Sequence, residues 1–394
     1  MTTHSLNSVR SKADEALEPA RFLFRCGSRS LQASGIAAVI DTPARDGAMV
    51  DGHFHTAIAD AFSQARRAGV AKPLIIGAIP FDTHQASCLY VPQEHAWVEH
   101  QAPAGLLEMP AARVVSQHSV PDQAGFQAGV SEAIAQFRLG RLSKAVLSRR
   151  LDVELGERVD VAAVMARLEA QNPEGYHFRV PMPDGAELIG VSPELLVRKQ
   201  HGQLFSNPLA GSAKRHGDLA RDQQIALALL DSAKDHYEHR LVVEDIRRLL
   251  HVDCLQLQVA PQPSLLGTAA MWHLSTLIEG QLRDPRQSVL QLACRLHPTP
   301  AVCGAPTEVA RALIERVEPF ERGLFTGMVG WCDAEGNGEW VVTIRCATVR
   351  DRHLSLYAGA GIVEASDPAA EWAETQAKLG TMLKAFGLDR QERP

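Results

Sequence analysis

The 394-residue sequence lacks several features that define common classes of protein. It has no run of about eighteen apolar residues, so it contains no candidate membrane-spanning helix. The N-terminal segment, MTTHSLNSVRSKADEALEP, has no apolar core and is not read as a secretory signal. With 45% hydrophobic and 22% charged residues, the composition predicts a cytoplasmic globular protein.

The sequence lacks both an excess of positive charge and a paired cysteine motif. The net charge is −6 and no long basic run occurs, which argues against nucleic acid or an anionic membrane surface as a partner. The seven cysteines are odd in number, scattered, and include no CxxC pair. They are interpreted as reduced thiols, because neither a disulfide framework nor a zinc site has this spacing.

Nucleotide-binding motifs are also missing. The GAG at 359–361 does not continue as G-x-G-x-x-G, since position 364 is Glu364 in a strand-like run. The AGSAKR at 210–215 lacks the remaining residues of a phosphate loop. Each glycine stretch by itself fits a tight turn. Because glycine has no side chain, its backbone N–H groups could also approach the carboxylate of a ligand closely.

Hydrophobic periodicity predicts one large α+β domain. Strand-like runs come in neighbouring groups joined by short turns, and helical patterns separate the groups. Residues 218–251 fit one long helix or two stacked ones, and 368–386 fits a closing helix. Residues 93–121 have weak periodicity and several prolines and are interpreted as a connector, and residues 1 to about 18 as a frayed terminus.

Acidic residues fall on one face of the closing helix. Glu371, Glu374 and Lys378 follow one another at offsets of three and four, which forms a single stripe. By itself this stripe fits an ion pair on a solvated face. Glu238 lies in the long helical region DSAKDHYEHRLVVEDIRRLL. If the two helices meet, Glu238 and Glu374 could hold a hard cation such as Mg²⁺, but spacing does not establish that they meet.

Four further polar residues lie in apolar surroundings. Lys144 begins the strand KAVLSRR, where lysine normally extends to water, although burial near a cation would lower its pKa and make it a base. Glu194 follows a proline in GVSPELL, where burial would raise its pKa and suit it to act as a general acid. Arg345 in VVTIRCATV requires an anion, from a ligand or from a structural ion pair. His273 at the start of a strand reads by default as a core histidine.

Taken together, nine blocks of sequence resemble the chorismate-utilising enzymes. They cover about 122–386, and the first 120 residues resemble the more variable N-terminal part of that fold. The resemblance therefore divides the chain into a variable part, 1–120, and a chorismate-binding catalytic region, 121–388. In order, the blocks are KAVLSRR, IGVSPELLV, NPLAGSAKR, KDHYEHRLVVEDI, MWHLSTLIEG, LHPTPAVCGAPTEVA, ERGLFTGMVGW, VVTIRCA and YAGAGIVEASDPAAEWAETQAKL.

Within that superfamily the sequence is most similar to isochorismate synthases of catecholate siderophore pathways. The block LHPTPAVCG carries this distinction, and Lys144 argues against anthranilate synthase, whose enzymes lack a lysine there. Three alternatives stay open. A salicylate synthase would also release pyruvate, an aminodeoxychorismate or anthranilate synthase would incorporate ammonia, and a non-catalytic chorismate-binding protein would turn nothing over.

The resemblance implies a mechanism in which water adds at C2 of chorismate while the C4 hydroxyl leaves. Lys144 would deprotonate the water and Glu194 would protonate the departing hydroxyl. Mg²⁺ would be held by Glu238 and Glu374, with Glu371 helping through water. The residues expected to contact substrate are Gly211, Ser212, Ala213, His273, Ala301, Arg345, Gly359, Ala360, Gly361 and Lys378.

The resemblance also implies an architecture and partners. Two antiparallel sheets should face each other with helices outside and the site in the cleft between them. The small-molecule partner would be chorismate, the chain would be a monomer, and a neighbouring pathway enzyme would be an isochorismatase or a pyruvate lyase. A 2,3-dihydroxybenzoate route is the leading expectation, followed by menaquinone or salicylate routes.

Overall fold

A computed structural model of the chain describes residues 22–99 and 112–389, so the frayed terminus expected for residues 1 to about 18 lies outside the described residues. The strands are β1 Phe22–Cys26, β2 Arg29–Ser34, β3 Ala38–Ile40, β4 Leu74–Ile79, β5 Cys88–Val91, β6 Glu94–Glu99, β7 Val114–Val120, β8 Lys144–Leu155, β9 Tyr176–Pro181, β10 Glu187–Ser192, β11 Leu195–Gln200, β12 Gln203–Asn207, β13 Leu209–Lys214, β14 Cys254–Val259, β15 Ser264–Gly267, β16 Met271–Ser275, β17 Ile278–Leu282, β18 Gly304–Ala305, β19 Met328–Asp333, β20 Gly338–Val342, β21 Cys346–Arg350 and β22 His353–Ile362. The helices are α1 His53–Arg67, α2 Gln123–Arg138, α3 Val161–Gln171, α4 Leu219–Asp231, α5 Ala233–His251, α6 Val289–Leu296, α7 Thr307–Val317 and α8 Pro368–Ala385.

Antiparallel pairing organises these strands into two large sheets and one small one. The first sheet runs β18-β8-β22-β21-β10-β9-β1-β2-β6, with β7 also paired to β8. The second runs β14-β17-β12-β11-β20-β19-β4-β5-β3, and β13, β16 and β15 form a separate three-stranded sheet. The predicted α+β fold of two large antiparallel sheets is confirmed, whereas the third sheet was not predicted.

The two large sheets face each other across a shared apolar core. Phe24 of β1 and Phe178 of β9 pack in one cluster with Ile76 of β4 and Val341 of β20. Helices cover the outer faces, with α2, α3, α7 and α8 on the first sheet and α1, α5 and α6 on the second. Strands from residues 22–99 join both sheets, while the division at residue 120 stays a prediction. In the described ranges, no helix combines the length and apolarity needed to cross a membrane.

Two local expectations were wrong. Residues 93–121 are not simply a connector, because β6 and β7 lie within them and pair with β2 and β8. The glycines at 359–361 do not form a turn, because β22 continues through them in register with β8. In both cases long-range strand pairing outweighs the local sequence signal.

Arg345 lies in the short link between β20 of the second sheet and β21 of the first. Its backbone has a left-handed φ of 51°.

Residues 218–251 form two helices rather than one. The break falls at Ser232, whose side chain accepts a hydrogen bond from the Asp235 N–H and so caps the start of α5. Capping satisfies one of the N–H groups that the first helical turn leaves unpaired. Because α5 begins at this break, the position of the break fixes how α5 is rotated about its own axis. That rotation decides which of its acidic side chains faces the sheets.

A buried ion pair fixes β8 to the structure beside it. Arg322 donates to the Glu318 carboxylate from Nε at 2.8 Å and from Nη2 at 2.6 Å, and both side chains are 3% exposed. The carboxylate also accepts from the Ser148 N–H at 2.7 Å, while Arg322 donates to the carbonyl oxygen of Val146. The pair therefore connects the loop after α7 to the middle of β8.

We expect Glu318→Ala to destabilise the protein by about 3–5 kcal/mol, because it leaves the Arg322 charge buried and unpaired. The matched control is Glu132→Ala, which removes an ion pair to Arg316 whose two side chains are 41% and 53% exposed. That change should cost less than about 1 kcal/mol. Urea unfolding measures both free energies, and equal losses would contradict the role given to the buried pair.

Candidate active site

One cavity collects most of the polar residues singled out from the sequence. It lies where β8 and β22 of the first sheet meet the three-stranded sheet and helices α5 and α8. Its polar lining comes from segments far apart in the chain, which only the fold brings together. Of the predicted residues, the cavity is lined by Glu194, Gly211, Ser212, Glu238, His273, Ala301, Arg345, Gly359, Gly361, Glu374 and Lys378.

The remaining predicted residues lie behind this lining. Lys144 and Glu371 are both buried. Lys144 contacts the lining through its ion pair with Glu238, whereas Glu371 pairs with Lys234, which is not a lining residue. Ala360 points away from the cavity into the core between β22 and α2. Ala213 pairs across the small sheet with Trp272 and is not part of the cavity wall. The alternation of side chains along a strand explains Ala360, which sits between two glycines that line the cavity.

Lys144 and Glu238 meet in the interior. The Lys144 side chain is fully buried, and its Nζ lies 3.0 Å from Glu238 Oε1. Within the described residues, this amine makes no well-directed hydrogen bond. A buried amine with unfilled hydrogen-bonding capacity is costly in a structural role and is typical of a group that contacts a ligand.

Glu194 also lines the cavity and lies in the short link between β10 and β11. Its carboxylate accepts a 3.4 Å hydrogen bond from the Leu209 N–H. Burial raises the pKa of Glu194 to about 7, against the opposing effects of that hydrogen bond and of the nearby Lys144, Arg345 and Lys378 cations. A substantial fraction of Glu194 is therefore protonated near neutral pH, which allows it to donate a proton.

Arg345 and His273 form a second polar pair. Arg345 Nη2 lies 3.2 Å from His273 Nε2. Burial, followed by the field of Arg345, lowers the pKa of His273 well below its usual value, so the imidazole is neutral and its Nε2 accepts from the guanidinium. Burial also lowers the pKa of Arg345 to about 10, which leaves it charged at neutral pH. His273 lies in the middle of β16 rather than at a strand entry.

Two acids of α8 complete the site. Glu374 contacts Lys378 at 2.6 Å and accepts from Ser212 Oγ at 3.0 Å. Burial would raise the pKa of Glu374, but Lys378, Lys234 and the Ser212 hydroxyl together outweigh burial, and the net pKa is lowered. Burial and the neighbouring Glu374 raise the pKa of Glu371, which pairs with Lys234 at 2.9 Å. The stripe read from the sequence thus faces the protein interior and not solvent.

The comparison with known families agrees with this arrangement. A family model described as "Chorismate binding enzyme" matches residues 83–387. The chain belongs to the chorismate-binding enzyme family. The match includes every element that lines the cavity.

Similar members of this chorismate-binding family have named activities. The chain is 44% identical to the isochorismate synthase EntC of Escherichia coli K12 over 94% of its own length and 96% of that protein. It is 42% identical to the isochorismate synthase DhbC of Bacillus subtilis, over 97% of its own length and 98% of that protein. A crystal structure from Bacillus anthracis, described as a 2,3-dihydroxybenzoate-specific isochorismate synthase, superposes with a TM-score of 0.87 at 40% identity, covering 95% of this chain and 98% of that one.

Two site residues were missed by the sequence reasoning. Lys234 and Asp235 open α5 beside the acids, and Lys234 lies one helical turn before Glu238. Burial raises the pKa of Asp235. The hydrogen bond with Ser232 acts to lower this pKa, whereas the negative charges of Glu238 and Glu374 raise it further. The offset of four between Lys234 and Glu238 was a readable signal, but it is the offset of an ordinary surface pair.

We expect Gly361→Ala to disable the site without unfolding this chorismate-binding protein. A Cβ at Gly361 would lie 2.0 Å from Glu238 Oε1, so the carboxylate would have to leave its position beside Lys144. A displacement of about 1 Å in an active site can cost about a hundredfold in turnover.

The matched control is Gly380→Ala in α8, where an added Cβ meets nothing within 4 Å. Chorismate turnover and thermal melting should be measured for both variants. Wild-type turnover in Gly361→Ala would contradict the tight packing described here.

Proposed function

We propose that the chain is an isochorismate synthase, which adds water at C2 of chorismate while the hydroxyl at C4 leaves and the ring double bonds shift. The observation that carries this proposal is the placement of a buried amine, Lys144, and a carboxylic acid of raised pKa, Glu194, beside one cavity. The similarity to named isochorismate synthases over nearly the whole chain supports the same conclusion.

The substrate is a dicarboxylate, and the cavity has cations to receive it. Arg345 is oriented by His273 and would bind one carboxylate through its guanidinium. Gly359 and Gly361 line the same wall and leave backbone close to a ligand. Lys378, which also donates to the Gly359 carbonyl oxygen at 2.9 Å, adds positive charge beside the acids of α8.

The proposed reaction assigns the base role to Lys144 and the acid role to Glu194. Lys144 would take a proton from the water that attacks C2. Glu194, in its protonated form, would give a proton to the hydroxyl leaving C4 as water. One water is consumed and one released, so the reaction is an isomerisation overall. Each proton transfer by a positioned side chain contributes about a hundredfold to ten-thousandfold in rate.

The acids of the site fit a hard divalent cation. Glu238 and Glu374 line the cavity, with Glu371 behind them, and carboxylate oxygens are the ligands that Mg²⁺ prefers. Mg²⁺ is commonly bound by one or two protein carboxylates, with water and substrate oxygens as its other ligands. A bound Mg²⁺ would orient the ring carboxylate and stabilise charge during the displacement. A dication that enters with a dianionic substrate also leaves the net charge of the cavity unchanged.

The product would feed a catecholate siderophore route. Similar proteins include DhbC of Bacillus subtilis, the vibriobactin-specific isochorismate synthase of Vibrio cholerae, and a protein described as 2,3-dihydroxybenzoate-specific. The enzyme of the next step would then be an isochorismatase, which acts on isochorismate.

Incubation of the pure protein with chorismate and Mg²⁺ tests this proposal, with product analysis by mass and ultraviolet absorbance. We expect isochorismate, at unchanged mass, without pyruvate and without incorporation of added ammonia. Exhaustive chelation should abolish turnover, and added Mg²⁺ should restore it. Pyruvate release would indicate a salicylate synthase, nitrogen in the product an aminodeoxychorismate or anthranilate synthase, and binding without turnover a non-catalytic protein.

We expect Lys144→Ala and Glu194→Gln each to lower kcat by about a hundredfold to ten-thousandfold while the protein stays folded. Lys214→Ala and Glu279→Gln are matched controls, because both side chains are exposed. Circular dichroism and melting temperature check the fold. Full activity in either site variant would show that the substituted residue does not have the proposed catalytic role.

The pH dependence follows from Glu194. Because burial raises its pKa to about 7, the protonated acid is present below that pH and is lost above it. We therefore expect kcat/KM to fall as pH rises above about 7, approaching a tenfold loss per pH unit. A profile measured with saturating Mg²⁺ checks this, and a flat profile from pH 7 to 9 would exclude Glu194 as the essential acid.

A further inference from the structure

Each carboxylate of the acid cluster, defined as Glu238, Glu371 and Glu374, is paired with a lysine. The distances are 3.0 Å from Glu238 to Lys144, 2.9 Å from Glu371 to Lys234, and 2.6 Å from Glu374 to Lys378. Lys144 and Lys378 have roles toward substrate in the proposed reaction, whereas Lys234 has none. Its position therefore needs another explanation.

Lys234 occupies an electrostatically unfavourable place. It lies in the first turn of α5, and its partner Glu371 lies in the first turn of α8. The N-terminus of a helix carries partial positive charge, so a cation there is disfavoured unless acids compensate it. Burial would lower the pKa of Lys234, but Glu371, then Glu374 and Glu238, outweigh burial and raise it. Its ammonium therefore lies in the combined field of the whole cluster.

The two partners differ in access to solvent. The Glu371 side chain is 2% exposed and the Lys234 side chain is 31% exposed. Lysine is a flexible point charge that is strongly hydrated, so its ammonium can leave the carboxylate for water without moving the helix. By contrast, Lys144 is fully buried and its amine has no such path.

We propose that Lys234 is the resident counterion of the acid cluster, and that a divalent cation binds by displacing the Lys234 ammonium from Glu371. This inference rests on the metal site of the proposed function. Without metal, the ammonium limits repulsion among carboxylates that burial has removed from water. When a dication arrives, the same ammonium repels it. The measured affinity for the metal therefore includes the free-energy cost of displacing the ammonium.

The test is the affinity of the substrate-free full chain for Mg²⁺, measured by titration calorimetry. Lys234→Met should tighten binding at least about tenfold, because it removes a competing cation. Lys234→Arg keeps the charge and should stay within about twofold of wild type. Lys384→Met is the matched control, since Lys384 is an exposed lysine near the far end of α8, and it should bind as wild type does.

Melting temperatures provide a second readout that does not depend on affinity. Metal-free Lys234→Met should melt below wild type, because Glu371 is left buried and unpaired, and saturating Mg²⁺ should raise its melting temperature more than that of wild type. Lys234→Gln repeats both measurements if Lys234→Met fails to fold.

The outcomes separate the two proposals. If turnover requires Mg²⁺ but Lys234→Met binds it no more tightly than wild type, the displacement is wrong and the metal site stands. If wild type binds no Mg²⁺ and turnover survives chelation, the metal site of the proposed function fails, and the displacement fails with it.

Discussion

The buried contact between the Lys144 amine and the Glu238 carboxylate is the constraint on which the rest of the site depends. Removing both charges from water is costly, so the pair persists only if the surrounding structure holds it in place. β8 is held by its long ladder with β22 and by the Glu318–Arg322 pair, while α5 packs against the second sheet. Gly361 leaves the space that the carboxylate occupies, and a methyl group there would remove it.

Charge balance links this contact to the other residues of the cavity. Each acid of the cluster has a lysine close by, so positive and negative groups are interspersed in and behind the cavity wall. In the proposed reaction, a dianion and a dication would enter such a cavity together at little change in net charge. The net charge of −6 on the whole protein is therefore compatible with the proposed dicarboxylate ligand.

Desolvation has the largest effect on the pKa values of two groups in the site, Glu194 and His273. It raises the pKa of Glu194 toward neutrality and keeps His273 neutral, so the first can donate a proton and the second can accept from Arg345. Both effects arise because the fold buries these side chains. The fold therefore sets the chemistry of these side chains as well as their positions.

The sequence by itself determined the α+β class and the family, and it predicted most of the polar residues that line the cavity, because ordered blocks of residues and an i,i+4 pair such as Glu374–Lys378 can be read locally. It misjudged the glycines of β22, where strand pairing outweighs local propensity. Only the tertiary structure decided that Glu238 meets Lys144 and that Glu371 meets Lys234, since these partners lie far apart in the chain. Periodicity shows which face of a helix a residue occupies, but it carries no information on what that face will contact after folding.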